Sequence, residues 1–274
     1  MELAELRVPH TDAELAADRL WAAGTTGVEE LELESGRLAF RAVLTGDSSD
    51  RIGVLARLGD LPDGWSLHWV DVDDAPSDAW REHVVPVEID GPDGFVLRPA
   101  WLPPVGDGRV EIVIEPGASF GLGDHPTTRL CAAATRSLVR AGHRVLDVGC
   151  GSGVLGIVAI RFGAARVTAI DVSAAAVDAT RSNALLNGVD DVIEVSLTPL
   201  SRVRGSFDVV IANILAPTLV ALADDLVRVL DDGGVLVVSG VLTESHEHVV
   251  AALAPLQVRR RRESGAWCAL ELSR

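Results

Sequence analysis

The spacing of apolar positions changes period repeatedly over the first 74 residues. Residues 3–8 alternate apolar and polar side chains as a half-buried strand does, whereas 12–23 carry Leu15, Ala16 and Leu20 at helical spacing. Thr11 with Glu14 three residues later predicts a capped helix start, and Gly24 predicts its end. Residues 28–33 and 38–44 read as strands around a Ser35-Gly36 turn, 50–58 as a helix and 65–72 as a strand. The resulting order, β-α-β-β-α-β, predicts a small ferredoxin-like α+β domain over residues 1–74.

A stretch rich in Pro, Asp and Gly follows, and 75–108 is expected to be a linker holding a short helix around Trp80 and a hairpin built from 84–89 and 95–98. Beyond residue 109 strand and helix patterns alternate, which predicts an α/β domain with a mainly parallel sheet over 109–274. Strand 145–148 runs into Gly149-Cys150-Gly151-Ser152-Gly153 and a helix to Phe162. Strand 167–170 ends in Asp171, a helix covers 173–187, and strand 207–212 ends in Asn213. A strand at 234–239 precedes a final hairpin of 256–263 and 267–272, which would add an antiparallel strand. Pro126 suits the first turn of a helix over 127–141, with Asp124 expected as its N-cap.

Composition narrows the function. With 274 residues, 48% hydrophobic and 23% charged, the chain reads as a folded soluble protein. Its 24 basic against 40 acidic residues give a formal charge of -16, which disfavours stable nucleic-acid binding and favours a basic protein partner. Every basic residue is Arg, and Tyr is absent, so a Lys base, a Schiff base and a Tyr base are excluded. Cys131, Cys150 and Cys268 lack disulfide or metal-ligand spacing, and no metal is expected. No leader pattern or apolar span of membrane length is seen, so a cytoplasmic protein without membrane contact is expected.

The chemistry concentrates in the glycine loop. A strand-to-helix turn with successive glycines lets a ligand approach the backbone at a helix N-terminus, and Asp171 at the end of the next strand suits two ribose hydroxyls. A structural reading, with glycines for a tight turn and Asp171 as a cap, stands beside it. Gly151–Gly156 also spells G-x-G-x-x-G, which keeps a nicotinamide oxidoreductase open. The register Asp147-Val148-Gly149-Cys150-Gly151-Ser152-Gly153, the final hairpin and the missing Tyr/Lys pair favour S-adenosylmethionine, whose ammonium suits Asp147. Asn213 stands where functional residues gather in such sheets, and Asn213-Ile214-Leu215-Ala216-Pro217 lacks the arrangement used on exocyclic base amines. His125, beside Pro126, is a substrate contact or a turn residue. Arg259–Arg262 would alternate faces on a solvated edge strand, and Trp65, Trp69, Trp80 and Trp101 are expected in packing roles.

Taken together, Glu115–Thr128 with its His125-Pro126-Thr127-Thr128, the loop Asp147–Gly153 and Asn213-Ile214-Leu215-Ala216 resemble the PrmA family over nearly the whole chain. These are S-adenosylmethionine-dependent methyltransferases of the large-subunit ribosomal protein numbered eleven. The resemblance implies a seven-stranded Rossmann-like methyltransferase domain and an N-terminal domain that holds the substrate, on a flexible connection that lets several amines reach one site. It also implies cofactor contacts from Thr128, Gly149, Asp171 and Asn213, to which the loop chemistry adds Asp147, Gly151 and Gly153. Leu122 and Asp124 depart from the threonines usual in the family. Asn213 is expected to be the catalytic residue, holding a Lys or N-terminal amine with nearby carbonyls and the loop at Phe120, with His125 also at the substrate and water taking the proton. A monomer is expected.

Overall fold

The computed structural model describes residues 2–23, 25–33, 36–44, 51–71, 84–90, 94–115 and 123–274. The chain divides into two compact units, Met1–Val84 and Val85–Arg274. In the first, β1 (Glu2–Pro9), α1 (Ala13–Ala22), β2 (Thr25–Glu32), β3 (Arg37–Leu44), α2 (Arg51–Leu58) and β4 (Ser66–Asp71) follow one another. The strands form one antiparallel sheet in the order β2-β3-β1-β4. Register places Leu6 opposite Phe40 and Val8 opposite Leu38, so one face is apolar and closes on Ala16, Leu20, Leu58 and Trp65. The start of α1 departs from the expected capping pair. A 3-10 turn, His10–Asp12, precedes it, and Thr11 Oγ1 donates to Asp12, whose carboxylate also accepts Trp65 Nε1–H at 2.7 Å. Gly24, Ser35 and the expected helix around Trp80 lie outside the described residues.

The second unit begins with β5 (Val87–Ile89), β6 (Phe95–Pro99) and β7 (Val110–Ile114), a three-stranded sheet in that order. The expected hairpin is present as the antiparallel pair β5-β6, yet it is no linker. Phe95, Leu97, Ile112 and Ile114 are fully buried in the core of this unit, and β6 runs parallel to β7. Proline and glycine punctuation marked the ends of these strands and concealed how completely their apolar residues are covered. Next come α3 (Pro126–Leu138), β8 (Arg144–Val148), α4 (Val154–Arg161), β9 (Arg166–Ile170), α5 (Ala174–Leu186), β10 (Ile193–Ser196) and β11 (Phe207–Asn213). They are followed by α6 (Ala216–Ala221), α7 (Ala223–Val229), β12 (Leu230–Leu242), α8 (Glu247–Ala252), β13 (Gln257–Ser264) and β14 (Trp267–Ser273).

A seven-stranded sheet runs β10-β9-β8-β11-β12-β14-β13, parallel through β12 and antiparallel from β14 onward. Its central strands are apolar at nearly every position because both faces are covered. Val145, Val209 and Ile211 enter one core, while Leu146, Val210 and Ala212 enter the other. The chain steps outward from β8 through β9 to β10 and then returns to β11 on the other side. That reversal opens a crevice beyond the C-terminal ends of β8 and β11, where sheets of this kind bind ligands. At the far edge, β13 exposes Arg259, Arg260 and Arg261 and carries a register shift at Val258/Arg260, so charge and irregularity discourage edge pairing. Arg262 instead pairs with Glu271 at 2.8 Å.

Candidate functional site

The glycine loop leaves the C-terminal end of β8. Gly149 and Cys150 both donate backbone N–H groups to Ile170 O on β9, at 2.8 and 3.1 Å, and Gly153 N–H turns back to Cys150 O at 2.7 Å. Gly149, Gly151 and Gly153 all have positive φ, 73°, 55° and 80°, which side-chain-bearing residues rarely adopt. A Cβ on Gly149 would lie 2.4 Å from Ile214 Cγ2, and one on Gly153 would lie 2.7 Å from Thr180 Cγ2. Thr180 Oγ1 also donates to Gly151 O at 3.0 Å, so α5 holds the loop from behind. The glycines thus serve a tight turn and a close approach at once.

Two carboxylates fasten this loop. Asp171, at the end of β9, accepts Gly151 N–H at 3.0 Å through one oxygen and Ser173 N–H at 2.9 Å through the other. The helix cap of α5 is Ser173, so Asp171 supports the cap rather than being it. Each Asp171 oxygen retains acceptor capacity for a ligand hydroxyl. Asp147 lies beneath the loop, 1% exposed, and its Oδ2 accepts Gly156 N–H at 3.0 Å. The N-cap of α4 is Gly153, which offers no side chain, so Asp147 supplies the missing acceptor from the neighbouring strand. Its Oδ1 is buried with no partner among the described residues.

Burial pushes the Asp147 carboxyl up to about 7 from 3.8, against the Gly156 hydrogen bond and with help from the negative Asp171. An acid raised on folding binds more protons in the folded than in the unfolded state between those two values, so the ligand-free fold is most favoured at the acid end of that window. Stability falls as pH rises through it and levels off above the folded value. Relative to Asp147→Asn, the native chain is expected to lose about 3 kcal/mol between about pH 5 and about pH 8. Urea unfolding of both proteins at the two pH values checks this, and parallel curves would refute it.

Asn213 terminates β11 opposite Ser239 on β12, and its side chain makes no hydrogen bond among the described residues. The following residue, Ile214, is enclosed from two sides. Gly149 faces its side chain, and Gly240, with φ 86°, faces its backbone: a Cβ there would lie 2.4 Å from Ile214 O. Asn213 is therefore held at the mouth of the glycine loop. Beside Asp171, Val172 is 98% exposed, and Leu197 beyond β10 is also exposed, an apolar pair at the ends of adjacent strands.

The segment before α3 is partly outside the described residues, Phe120 and Leu122 included. Thr128 is buried in the first turn of α3. The N-cap is His125 rather than Asp124, because a residue before proline is driven to extended backbone and Pro126 already occupies the first helical position. Thr127 N–H donates to His125 Nδ1 at 3.3 Å, the Thr127 hydroxyl lies 2.7 Å from the same nitrogen, and the ring meets Trp267 edge-on at 5.2 Å. Burial lowers the His125 pKa, opposed by Asp124, which suits a neutral cap. The helix ends at Leu138, short of the expected 141, where Val139 turns to extended backbone.

The family model for ribosomal protein L11 methyltransferase (PrmA) matches residues 8–274. The chain belongs to that family. A relative of that name from Geobacter sulfurreducens is 44% identical over 199 residues, covering 70% of this chain and 63% of the relative. One from Gloeobacter violaceus is 35% identical over 252 residues, covering 89% and 78%. The chain thus spans somewhat less than two thirds of the Geobacter protein. A crystal structure of ribosomal protein L11 methylase from Lactobacillus delbrueckii subsp. bulgaricus matches with a TM-score of 0.61 at 34% identity, over 66% of this chain and 94% of that one.

Within this PrmA-family chain, the motifs did not point to Asn183, which is 0% exposed on α5. Its Nδ2 donates to Ser152 O and Glu115 O, both at 2.9 Å, and its Oδ1 accepts Glu115 N–H at 2.8 Å. One turn later Asn187 treats Val113 in the same way, at 2.7 and 2.9 Å. Two amides four residues apart lie on one helix face and here complete the open edge of β7 as a strand would. The signal was the i, i+4 Asn pair on the helix face that also carries Ala176, Thr180 and Ala184. Asn183→Ala leaves several buried polar groups unpaired and is expected to cost about 3 kcal/mol. Because Asn183 ties the glycine loop to the start of the 116–122 segment, cofactor affinity should fall with stability. Unfolding and calorimetry on one preparation test both.

Proposed function

We propose that the chain is an S-adenosylmethionine-dependent protein N-methyltransferase that modifies amines of ribosomal protein L11, the protein for which its relatives are named. The observation that carries the cofactor reading is the half-satisfied carboxylate of Asp147 beneath a loop of three left-handed glycines, since a cation above the loop would relieve that buried charge. The residues present suit this cofactor. The backbone of Gly149, Gly151 and Gly153 would receive its methionine end, Asp171 would accept ribose hydroxyls, and Val172 with Leu197 would cover the apolar base. Thr128 belongs to the same set. When bound, S-adenosylmethionine supplies a methyl group activated by its sulfonium.

Asn213 is the catalytic residue in this reading. Its free side-chain oxygen accepts an N–H of the incoming amine and aims the nitrogen lone pair, with His125 and Phe120, the latter outside the described residues, as the further substrate contacts of this reading. No strong base is required. An α-amine, with a reference pKa of about 7.7–8.0, is partly neutral at physiological pH, and a Lys amine at about 10.4 gives up its proton to water before transfer. With no Lys of its own, the chain leaves Lys methylation to its partner.

The first unit, with its β-α-β-β-α-β order and β2-β3-β1-β4 sheet, supports a ferredoxin-like substrate-recognition domain. The charge of -16 suits a basic ribosomal protein and opposes stable nucleic-acid binding. We expect a cytoplasmic monomer; no helix among the described residues is long and apolar enough to cross a membrane. Intact-mass spectrometry of L11 incubated with the enzyme and S-adenosylmethionine should show increments of one methyl group each. An unchanged mass with cofactor binding intact by calorimetry would reject the substrate and direct attention to other proteins or small amines. Failure of both would reject the whole reading.

A further inference from the structure

The opposite end of the seven-stranded sheet carries a second feature. Arg144 opens β8 and Arg166 opens β9, and register makes them direct neighbours across the parallel pair. Arg204, from the loop before β11, joins them around an open surface pocket of about 180 Å³, whose remaining lining is Thr168, Ser206 and Phe207; all three arginines are exposed. Like charges placed directly opposite across a strand pair repel. None of the three guanidinium groups forms an ion pair among the described residues. Arg98, Arg109, Arg228 and Arg262 pair with acids, whereas these three, like Arg129, Arg140 and Arg161 elsewhere, form no ion pair among the described residues; what sets them apart is that they line one pocket together.

The nearby carboxylates are used otherwise. Asp208 accepts the backbone N–H of Arg144 at 2.7 Å, and Asp231 accepts the hydroxyl of Ser206 at 2.9 Å. Three cations against two engaged carboxylates leave a local positive excess bordered by the Thr168 hydroxyl; the Ser206 hydroxyl is spent on Asp231, and its oxygen lies 3.5 Å from Arg144 Nη2. Guanidinium groups present paired N–H donors that match phosphate oxygens. The pocket holds the volume of about six waters, which suits one phosphate with a few attached atoms. An extended polyanion would meet the repulsion of the whole acidic chain.

We propose that Arg144, Arg166 and Arg204 form a binding site for the phosphate group of a small phosphate ester, at the sheet end away from the glycine loop. The site lies outside the proposed catalytic machinery, so it stands or falls independently of the methyl-transfer reading.

The probes are inorganic pyrophosphate and ribose 5-phosphate, added to the full chain at constant ionic strength while Arg side-chain N–H signals are followed by NMR. Saturable shifts are expected, with the double variant Arg144→Gln/Arg166→Gln weakening binding at least tenfold and leaving S-adenosylmethionine affinity unchanged. Tighter binding of the sugar phosphate than of pyrophosphate would support the ester as the ligand form, and the reverse would overturn that assignment in favour of an inorganic diphosphate. Non-saturable shifts, equal shifts with chloride, or equal affinity in the double variant would overturn the proposal. Should the double variant fold poorly, Arg204→Gln alone, which sits in a loop, provides the same comparison.

Discussion

Gly240→Ala is expected to abolish methyl transfer and to destabilise the fold by about 3 kcal/mol. Two independent causes act together. The backbone there has φ 86°, where a Cβ is strained, and the added carbon would lie 2.4 Å from Ile214 O and 2.8 Å from its carbonyl carbon. Both contacts are backbone atoms, so no rotamer change relieves them. The chain must move at Ile214, and Asn213 moves with it. Gly149 confines Ile214 from the other side, so the displacement passes to the glycine loop. Gly233→Ala is the control, because a Cβ there meets nothing within 4 Å. Mass increments on L11 and urea unfolding of both variants provide the measurement; a Gly240→Ala protein as active as the control would contradict the packing argument.

Asp171→Ala is expected to weaken S-adenosylmethionine binding about a hundredfold, equivalent to about 2.7 kcal/mol. Hydrogen bonds to a charged acceptor contribute about 1.5–3 kcal/mol each, and the substitution removes those that hold Gly151 and Ser173 together with those proposed to the ribose. Asp171→Asn should be intermediate in ribose binding but must turn an N–H toward one of two backbone donors, so the loop is strained in that variant as well. Losing the Asp171 charge also removes one of the causes that raise Asp147, whose titration should move toward lower pH. Calorimetric titration, with unfolding measured in parallel, separates ligand contact from loop support. Undiminished affinity in Asp171→Ala would remove Asp171 from the site.

Much of the fold could be read locally. The strands and helices of the first unit follow from period alone, and the central sheet strands announce themselves by apolar runs of the right length. The four residues of β10 were too few to carry a pattern, and β5 and β6 lay amid turn residues that argued for a linker. The candidate site was legible in the same measure. Glycines at the end of a strand, an acid at the end of the next and Asn213 at the end of a third all sit where chain direction alone places them, on the ligand side of a parallel sheet.

Element types, the glycine loop and the identity of the charged groups beside it depend on neighbours within a few residues, so local pattern is enough to specify them. Tertiary structure alone decided what those groups do. Asp147 caps a helix nine residues on, Asn183 reaches Ser152 and Glu115 across a fold back of the chain, Gly240 presses on Ile214, and Arg144 meets Arg166 only through strand register. Such contacts arise from how strands align and helices pack, quantities set by burial of the whole core, which no local pattern contains.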